Sequence, residues 1–529
     1  MRHSRVVTFG LPIAALLLVV NNAAAARRAV PTFTKPVLVD DGKMTKKRPT
    51  EPATIVGADG TRYVAYQGGS QLAVSRDGGR TWRNQHDVLT KNLSGCTYST
   101  ARDFGDVDLA ADPGGRVYLA DLAVMAGGTL DNGIQPIVGV SNNRFKEHTS
   151  TCAGHQPFMV DREWLATYSK PGTGSDETRV YLSYHDFGPD TMWINVSKDG
   201  GKTWAPPVPI PTSPDAALSS ACDTIPGGTA VDPKTGWVYV AWTAGPNSAN
   251  NLATGCNYTQ GTIFNKLYVA VSKDEGLTWT TTKAFEGPDN TQAEPADLSE
   301  IFATIGTDRQ GNVYVAYPAF LNGEYGIYYQ WSPPALGVNA SLFFSKPTKV
   351  NGTDAHTAYY PRIVAGDTGR VDLIYLGSPI KNVVATPTNK TTYTGGENRP
   401  NCTPEVDDPG GKGVRFTGKP CEMPPNAKWY LYLAQTLNGT SGTPTFSNVK
   451  LDQGPVHVGD ICTLGIFCLD NDNRDLADIN DIKIDASGGF QAAYTWENQK
   501  GTENQIRFQC QTGGAGLYAN VKLRSCRAR

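Results

Sequence analysis

The sequence predicts an all-β chain: a single β-propeller of four-stranded antiparallel blades, seven by its repeats, with six as the alternative. Three observations predict it. A short strand unit recurs seven times, an eight-residue turn motif recurs three times, and capped windows of helical periodicity are almost absent.

The strand unit occupies residues 61–66, 115–121, 178–184, 236–242, 311–317, 369–375 and 488–494. Each copy opens on a turn residue and runs as an alternating apolar strand, as in Tyr239-Val240-Ala241-Trp242. A shorter apolar run closed by Asp or Gly precedes each copy, and a third strand follows most of them. The sixth interval is lengthened by a Pro-, Gly- and Asn-rich insertion at 381–428 holding two cysteines. Four short strands cannot bury both of their faces alone, so such units stack around an axis. That makes residues 35–529 one domain, preceded by a short segment at 27–34. Residues 35–40 are expected to pair with the last blade and close the ring.

The first 26 residues have the layout of a secretory signal. Arg2, His3 and Arg5 precede an apolar core at 10–20, and small residues at 23–26 offer a cleavage site. That core is shorter than the ~20 apolar residues a membrane span needs. The expectation is a secreted, extracellular monomer without a membrane span. With 48 basic against 50 acidic residues interspersed, charge gives no case for a nucleic-acid partner. Ten cysteines in an exported chain point to disulfides. Proximity suggests Cys402 with Cys421, Cys462 with Cys468 and Cys510 with Cys526, leaving Cys222 with Cys256 and Cys96 with Cys152. No Cys/His cluster has zinc spacing.

The turn motif reads S-x-D-x-G-x-T-W at 75–82, 197–204 and 272–279. The Asp carboxylate is suited to accept amide hydrogens across a tight loop, while Gly supplies positive φ and Ser bonds locally. The Trp then plugs apolar space between strands. Residues 141–145 look like a decayed copy in the second blade. On these segments the chain resembles the Asp-box, or BNR-repeat, proteins: sialidases, other propeller glycosidases and sorting receptors. The resemblance is specific at the three motifs and otherwise rests on blade pattern. It implies a structural role for the motifs, at outer-strand turns away from the axis.

Propeller ligands bind at the axial mouth, where the first strands begin. Residues opening or preceding those strands include Glu51, Asp106, Asp108, Asp161, Arg162, Glu163, Asp223, Glu294, Asp297, Glu300, Arg362, Asp475, Asp478 and Asp481. Glycoside hydrolysis uses two carboxyl groups, one protonated and one ionised. The candidate catalytic carboxyls are therefore Asp161, Glu163, Asp223, Glu300 and Asp108. Candidate substrate contacts are Arg162 and Arg362 for a carboxylate, Trp164 for stacking, and Tyr360, which also has nucleophile chemistry. On a regular strand Asp161 and Glu163 point to one side and Arg162 to the other; an Asp–Arg clamp between blades is the structural alternative for this segment.

The sialidases that the chain resembles have six blades, an early F-R-I-P segment and three carboxylate-binding arginines. No F-R-I-P occurs here. Glu51-Pro52-Ala53 stands in its place, Arg162 and Arg362 are the candidates for two of the arginines, no third stands out, and Arg102 and Arg474 are weaker options. The scattered histidines read as surface or loop residues. No cofactor is expected. A structural calcium at 470–481 is left open, since the run from Asp470 follows a calcium loop over its first three positions, then lacks the turn glycine and puts Asp481 where Glu is usual. The resulting expectation is a secreted carbohydrate-active enzyme, a sialidase-like glycoside hydrolase acting on a carbohydrate or glycoconjugate. The alternative is a non-catalytic propeller that binds glycans or proteins, and a polysaccharide lyase is a third class.

Overall fold

The computed structural model describes residues 30–526 except 44–47, 68–69, 90–92, 97–99, 103–104, 126–133, 154–159, 187–190, 222–223, 246–263, 289–295, 299–301, 338–339, 382–404, 408–413, 417–422, 424–425, 462–474, 499–502 and 525. The signal-like segment, the start of the calcium-like run and six of the ten cysteines lie outside these residues.

Seven antiparallel blades form a ring, and the seven recurring units are their second strands. Blade 3 shows the plan: Val160–Tyr168, Arg179–Asp186, Met192–Ser197 and Val208–Pro209 pair in chain order. Blade 6 is interrupted by the insertion, so its third strand is Lys428–Thr436. In blade 7 the chain supplies only Asp481–Ile484, Phe490–Glu497 and Asn504–Gly513 from its C-terminal part. Val37–Asp40 pairs with the last of these, so the two ends of the ring share one sheet as expected. This covers a strand edge that would otherwise be open to pairing with another chain.

Alternation here separates two buried faces. In Val238–Ala244 every residue is buried. Val240 and Trp242 pack into the core shared with blade 3, whereas Tyr239 and Ala241 pack into the core shared with blade 5. This second strand is thus apolar on both sides, as for a sheet covered on both faces. Helix is confined, among the described residues, to Pro214–Ser220 and one short turn, Ser175–Glu177. Ser213 caps the former by accepting the Ala216 amide hydrogen at 3.3 Å.

The three S-x-D-x-G-x-T-W segments form one turn, built three times between third and fourth strands. Asp77 Oδ1 accepts the Arg80 and Thr81 amides, both at 3.0 Å, while the Thr81 hydroxyl donates to Oδ2 at 2.7 Å. Asp199 and Asp274 repeat the pattern, with Thr203 and Thr278 hydroxyls each at 2.6 Å. The Trp bridges to the preceding blade: Trp82 meets Phe508 edge-on at 5.0 Å, and Trp204 donates to Thr151 at 2.9 Å. A Cβ at Gly79, where φ is +89°, would lie 2.2 Å from the Phe508 ring. The decayed copy keeps the geometry, since Asn143 Oδ1 accepts the Glu147 amide at 2.9 Å. A further copy escaped the sequence pattern: Asn438 Oδ1 accepts the Thr445 amide at 3.1 Å across a longer loop.

Cys510–Cys526, expected from proximity, and Cys96–Cys152, expected from the remaining cysteines, are disulfide-bonded. The other three expected pairs lie outside the described residues.

Candidate active site

First strands begin at one end of the ring, and the S-x-D-x-G-x-T-W turns close the opposite end, because antiparallel strands alternate direction. At the mouth end the first strands do not stay regular. They slip register against their second strands between Asp161 and Trp164, Pro226 and Gly228, and Tyr359 and Arg362. Residues at these bulges take positive φ: 53° at Arg162, 114° at Gly228 and 57° at Tyr360. Glu51 stands just ahead of the first strand of blade 1 with φ of 49°. Such a backbone costs about 1–3 kcal/mol per non-glycine residue, and bulges of this kind re-aim side chains. The simple alternation expected across Asp161, Arg162 and Glu163 therefore fails.

Register assigns one equivalent residue per blade just inside the bulge. They are Ala53, Asp108, Trp164, Gly228, Thr304, Arg362 and Asp481, opposite Ala65, Ala120, Ser183, Ala241, Ala316, Ile374 and Ala493. The large members meet across the axis. The Arg362 guanidinium lies 4.1 Å over the Trp164 ring and its Nε is 3.3 Å from Asp481 Oδ1. Blades 3 and 6 face each other across the ring, so this stack fills the axis at its level. Trp164 is 2% exposed and packs edge-on against Phe302 at 6.2 Å. The smaller members staple neighbouring blades. Asp108 Oδ2 accepts the Leu165 amide at 2.8 Å, Asp481 Oδ2 accepts that of Thr54 at 2.9 Å, and Thr304 Oγ1 accepts that of Ile363 at 3.4 Å. Both Asp108 oxygens are used, because Oδ1 accepts the Leu109 amide at 2.8 Å.

Above this layer, blades 1, 2, 3 and 7 converge on Arg162. Its Nη2 is 3.0 Å from Glu51 Oε2 and 3.0 Å from Asp106 Oδ1. The Gln67 amide donates to the same two carboxylates, reaching Asp106 at 2.9 Å. Glu51 Oε1 accepts the Asp478 amide at 2.8 Å. Asp161, a quarter exposed, hydrogen-bonds Asp106 on one side and lies 3.7 Å from His185 Nε2 on the other. His185 Nδ1 is 3.3 Å from the Thr224 hydroxyl.

This setting drives two neighbouring aspartates apart. Burial pushes Asp106 up to about 6, with the Asp161 charge adding to it against the pull of Arg162. Burial also acts on Asp161, but its hydrogen bond and charge contact with His185, helped by Arg162, outweigh it and hold this carboxyl below the usual range. Below about pH 6 Asp106 thus keeps its proton and directs it at the ionised Asp161. Glu163 is 1% exposed, and neither carboxyl oxygen meets a polar group of another described residue. Burial, reinforced by the Asp106 charge, raises it well above its ordinary value.

The other candidates are placed differently. Tyr360 is 2% exposed within the aromatic core, beside Tyr359, which stacks on Trp429 at 5.3 Å. Asp297 accepts the Tyr325 hydroxyl at 2.7 Å, and Asp475 pairs with Arg48 at 2.7 Å. Asp223, Glu294, Glu300 and Arg474 lie outside the described residues. His185 and Gln67 reach the mouth without any sequence motif to mark them. Both directly follow the closing aromatic of a second strand, Tyr184 and Tyr66, a position that the register brings to the mouth. Nor are all histidines superficial: His185 and His457 are 6% and 3% exposed, inside strands. Among the described residues no group of three His, Cys, Asp or Glu side chains is arranged to hold a metal, and no helix is long and apolar enough to cross a membrane.

No family model matches the chain, and no curated protein matches it. Solved structures with a similar course exist. An ulvan lyase, bound to a GlcA–Rha3S unit and described as a new family of polysaccharide lyase, is 10% identical over 91% of this chain and 94% of its own, with a TM-score of 0.47. A Hadza microbial sialidase is 13% identical over 62% and 63%, with a TM-score of 0.37. YCF48 from Cyanidioschyzon merolae is 11% identical over 91% and 99%, with a TM-score of 0.41. No residue role is taken from these likenesses.

Proposed function

We propose that this chain is a secreted carbohydrate-active enzyme of the Asp-box class that cleaves glycosidic bonds, with Asp106 and Asp161 as its acid/base unit. The reading is carried by the convergence of Asp106 and Asp161 beside Arg162, where burial raises Asp106 to about 6 while His185, 3.7 Å from Asp161, helps to hold that carboxyl below the usual range. Two acids with proton affinities forced apart by their surroundings are what acid/base catalysis on a glycoside requires. Their hydrogen-bonded contact is closer than the ~5 Å or more that separates the two carboxyls of a glycosidase. The pair therefore acts as one proton donor and acceptor, and the second catalytic carboxyl comes from elsewhere at the mouth. Asp223 and Glu300 hold that place in the sequence. Trp164 and Tyr360 are buried, so neither the sugar platform nor the nucleophile rests on them. Arg162 orients Asp106 and supports the ionised partner.

The purified mature protein, assayed on a panel of aryl glycosides and polysaccharides, tests this reading. Product release is expected, falling about 10²–10⁴-fold in Asp161→Asn and in Asp106→Asn. With Asp106 as the proton donor, activity declines as pH rises through about 6. Absence of release from every substrate, or release unaffected by both substitutions, refutes it. The second reading, a glycan-binding propeller without catalysis, is favoured by the ion pairs that tie Arg162 to Glu51 and Asp106 and Arg362 to Asp481, and it predicts binding without turnover.

A further inference from the structure

Independently of the catalytic reading, we infer that residues 514–526 are a strap across the end of the ring opposite the mouth, and that the Cys510–Cys526 disulfide makes it a redox-sensitive clasp on the seam between blades 7 and 1. After Asn504–Gly513 the chain leaves blade 7 and crosses the hairpins that join first to second strands. In blade 7, Leu517 donates its amide hydrogen to the Gly488 carbonyl at 2.6 Å, and the Arg524 amide donates to Ser487 Oγ at 3.0 Å. In blade 6, the Asp367 amide donates to the Leu517 carbonyl at 2.9 Å, and the Asp367 carboxylate accepts the Ala519 amide at 2.7 Å. Arg370 Nη2 donates to the Gly516 carbonyl at 2.7 Å. Blade 5 adds Arg309, whose guanidinium lies 3.4 Å over the Tyr518 ring. Leu517 is fully buried, and a Cβ at Gly366 would stand 2.5 Å from its carbonyl oxygen.

The two ends of the ring share a sheet through short strands, Thr32–Phe33 and Val37–Asp40, each with a register slip against the last strand. The disulfide sits at that seam. Cys510 belongs to the last strand of blade 7, while Cys526 packs on the turn of blade 1, where a Cβ at Gly78 would lie 3.1 Å from its carbonyl. Cys526 is held there at a φ of 60°, a backbone that a residue with a side chain adopts at a cost. The two cysteines are 16 positions apart, so cleaving their bond returns chain entropy to the strap rather than to the ring at large. A cavity of about 310 Å³ between Thr34, Val37, Gly78, Phe508 and the two cysteines gives a thiolate access to the sulfurs. A dithiol supplies the two electrons and two protons: the S–S bond becomes two thiols and the dithiol is oxidised to a disulfide.

Hydrogen exchange of the wild-type protein, oxidised and in dithiothreitol, tests this. In dithiothreitol the amides of 514–524 should exchange at least about tenfold faster. Those of 32–40 and 504–513 should quicken by a smaller factor, and those of Arg179–Asp186 in blade 3 should not change. The double variant Cys510→Ser/Cys526→Ser should show the same pattern without reductant and no further response at 514–524, which separates this bond from Cys96–Cys152. The wild-type comparison stands whether or not that variant folds. Unchanged exchange at 514–524 on reduction, release of the strap with no change at 32–40, or equal acceleration in blade 3 overturns the inference. So does a response to dithiothreitol at 514–524 that persists in the double variant.

Discussion

In blade 3 the bulged stretch is Asp161-Arg162-Glu163-Trp164, and in blade 6 the register-equivalent stretch is Tyr359-Tyr360-Pro361-Arg362. Both place a non-glycine residue at positive φ, 53° and 57°, and both slip by the same step against their second strand. Blade 3 fills the bulge with charge and gathers carboxylates from three other blades around Arg162. Blade 6 fills it with aromatic rings, which pack into the core with Trp429 and Tyr325. The backbone device is shared, and the side chains decide whether it makes a reactive mouth or a plug. Trp164 and Arg362, one from each, meet across the axis and tie the two halves together.

The largest effect expected from this contrast is on stability. Arg162→Met leaves Glu51 and Asp106 buried without their cation, so a loss of about 3–5 kcal/mol is expected in urea unfolding. Arg362→Met removes one ion pair and one ring contact, and its loss should be smaller, about 1–3 kcal/mol. Equal losses would mean that the two bulges are not energetically distinct.

Acid and base should pull on the two ends of the ring in opposite senses. Asp106 has a folded-state value raised from 3.8 to about 6, so its share of stability is complete below about 4 and lost as pH rises through 6. Asp77, at the opposite end, is lowered to about 2 by bonds from Thr81, Ser75 and Arg80 that overcome the desolvation acting against them. Its share is present above about 4 and lost as pH falls towards 2. Thermal melts across pH 2–8 of Asp106→Asn and Asp77→Asn should each flatten one limb only. The Asp77 limb is the shallower, because that carboxylate sits in an exposed turn and is screened by solvent.

Smaller still are the turns themselves. Asp77→Ala should cost about 1–2 kcal/mol through lost amide and hydroxyl bonds. Asn143→Asp, which restores the motif in blade 2, should gain no more than about 0.5 kcal/mol in the same unfolding experiment.

The ring was legible because the second strands carry their own signal: a largely apolar run preceded by a turn and, in six of the seven, closed by an aromatic. The closing strand at 37–40 followed from the edge left in blade 7. The mouth was only partly legible. Composition marks Asp106, Asp161 and Arg162 as charged residues at equal phase, yet their meeting depends on a register slip that no residue type announces at Arg162 or Tyr360. Trp164 suited a stacking platform until that slip turned it into the axis, and Asp108 suited an acid until its oxygens proved to staple blade 2 to blade 3. His185 lacked motif spacing because its partner, Asp161, stands opposite it across a strand pair.

The most direct test of the Asp106–Asp161 pair is a carboxyl ¹³C titration of aspartate-labelled protein, with signals assigned through Asp106→Asn and Asp161→Asn. Asp106 should titrate near 6 in the native protein and move down when Asp161 is made neutral, while Asp161 titrates below the ordinary aspartate range. Two independent titrations near 4, each indifferent to substitution of the other, would contradict the account.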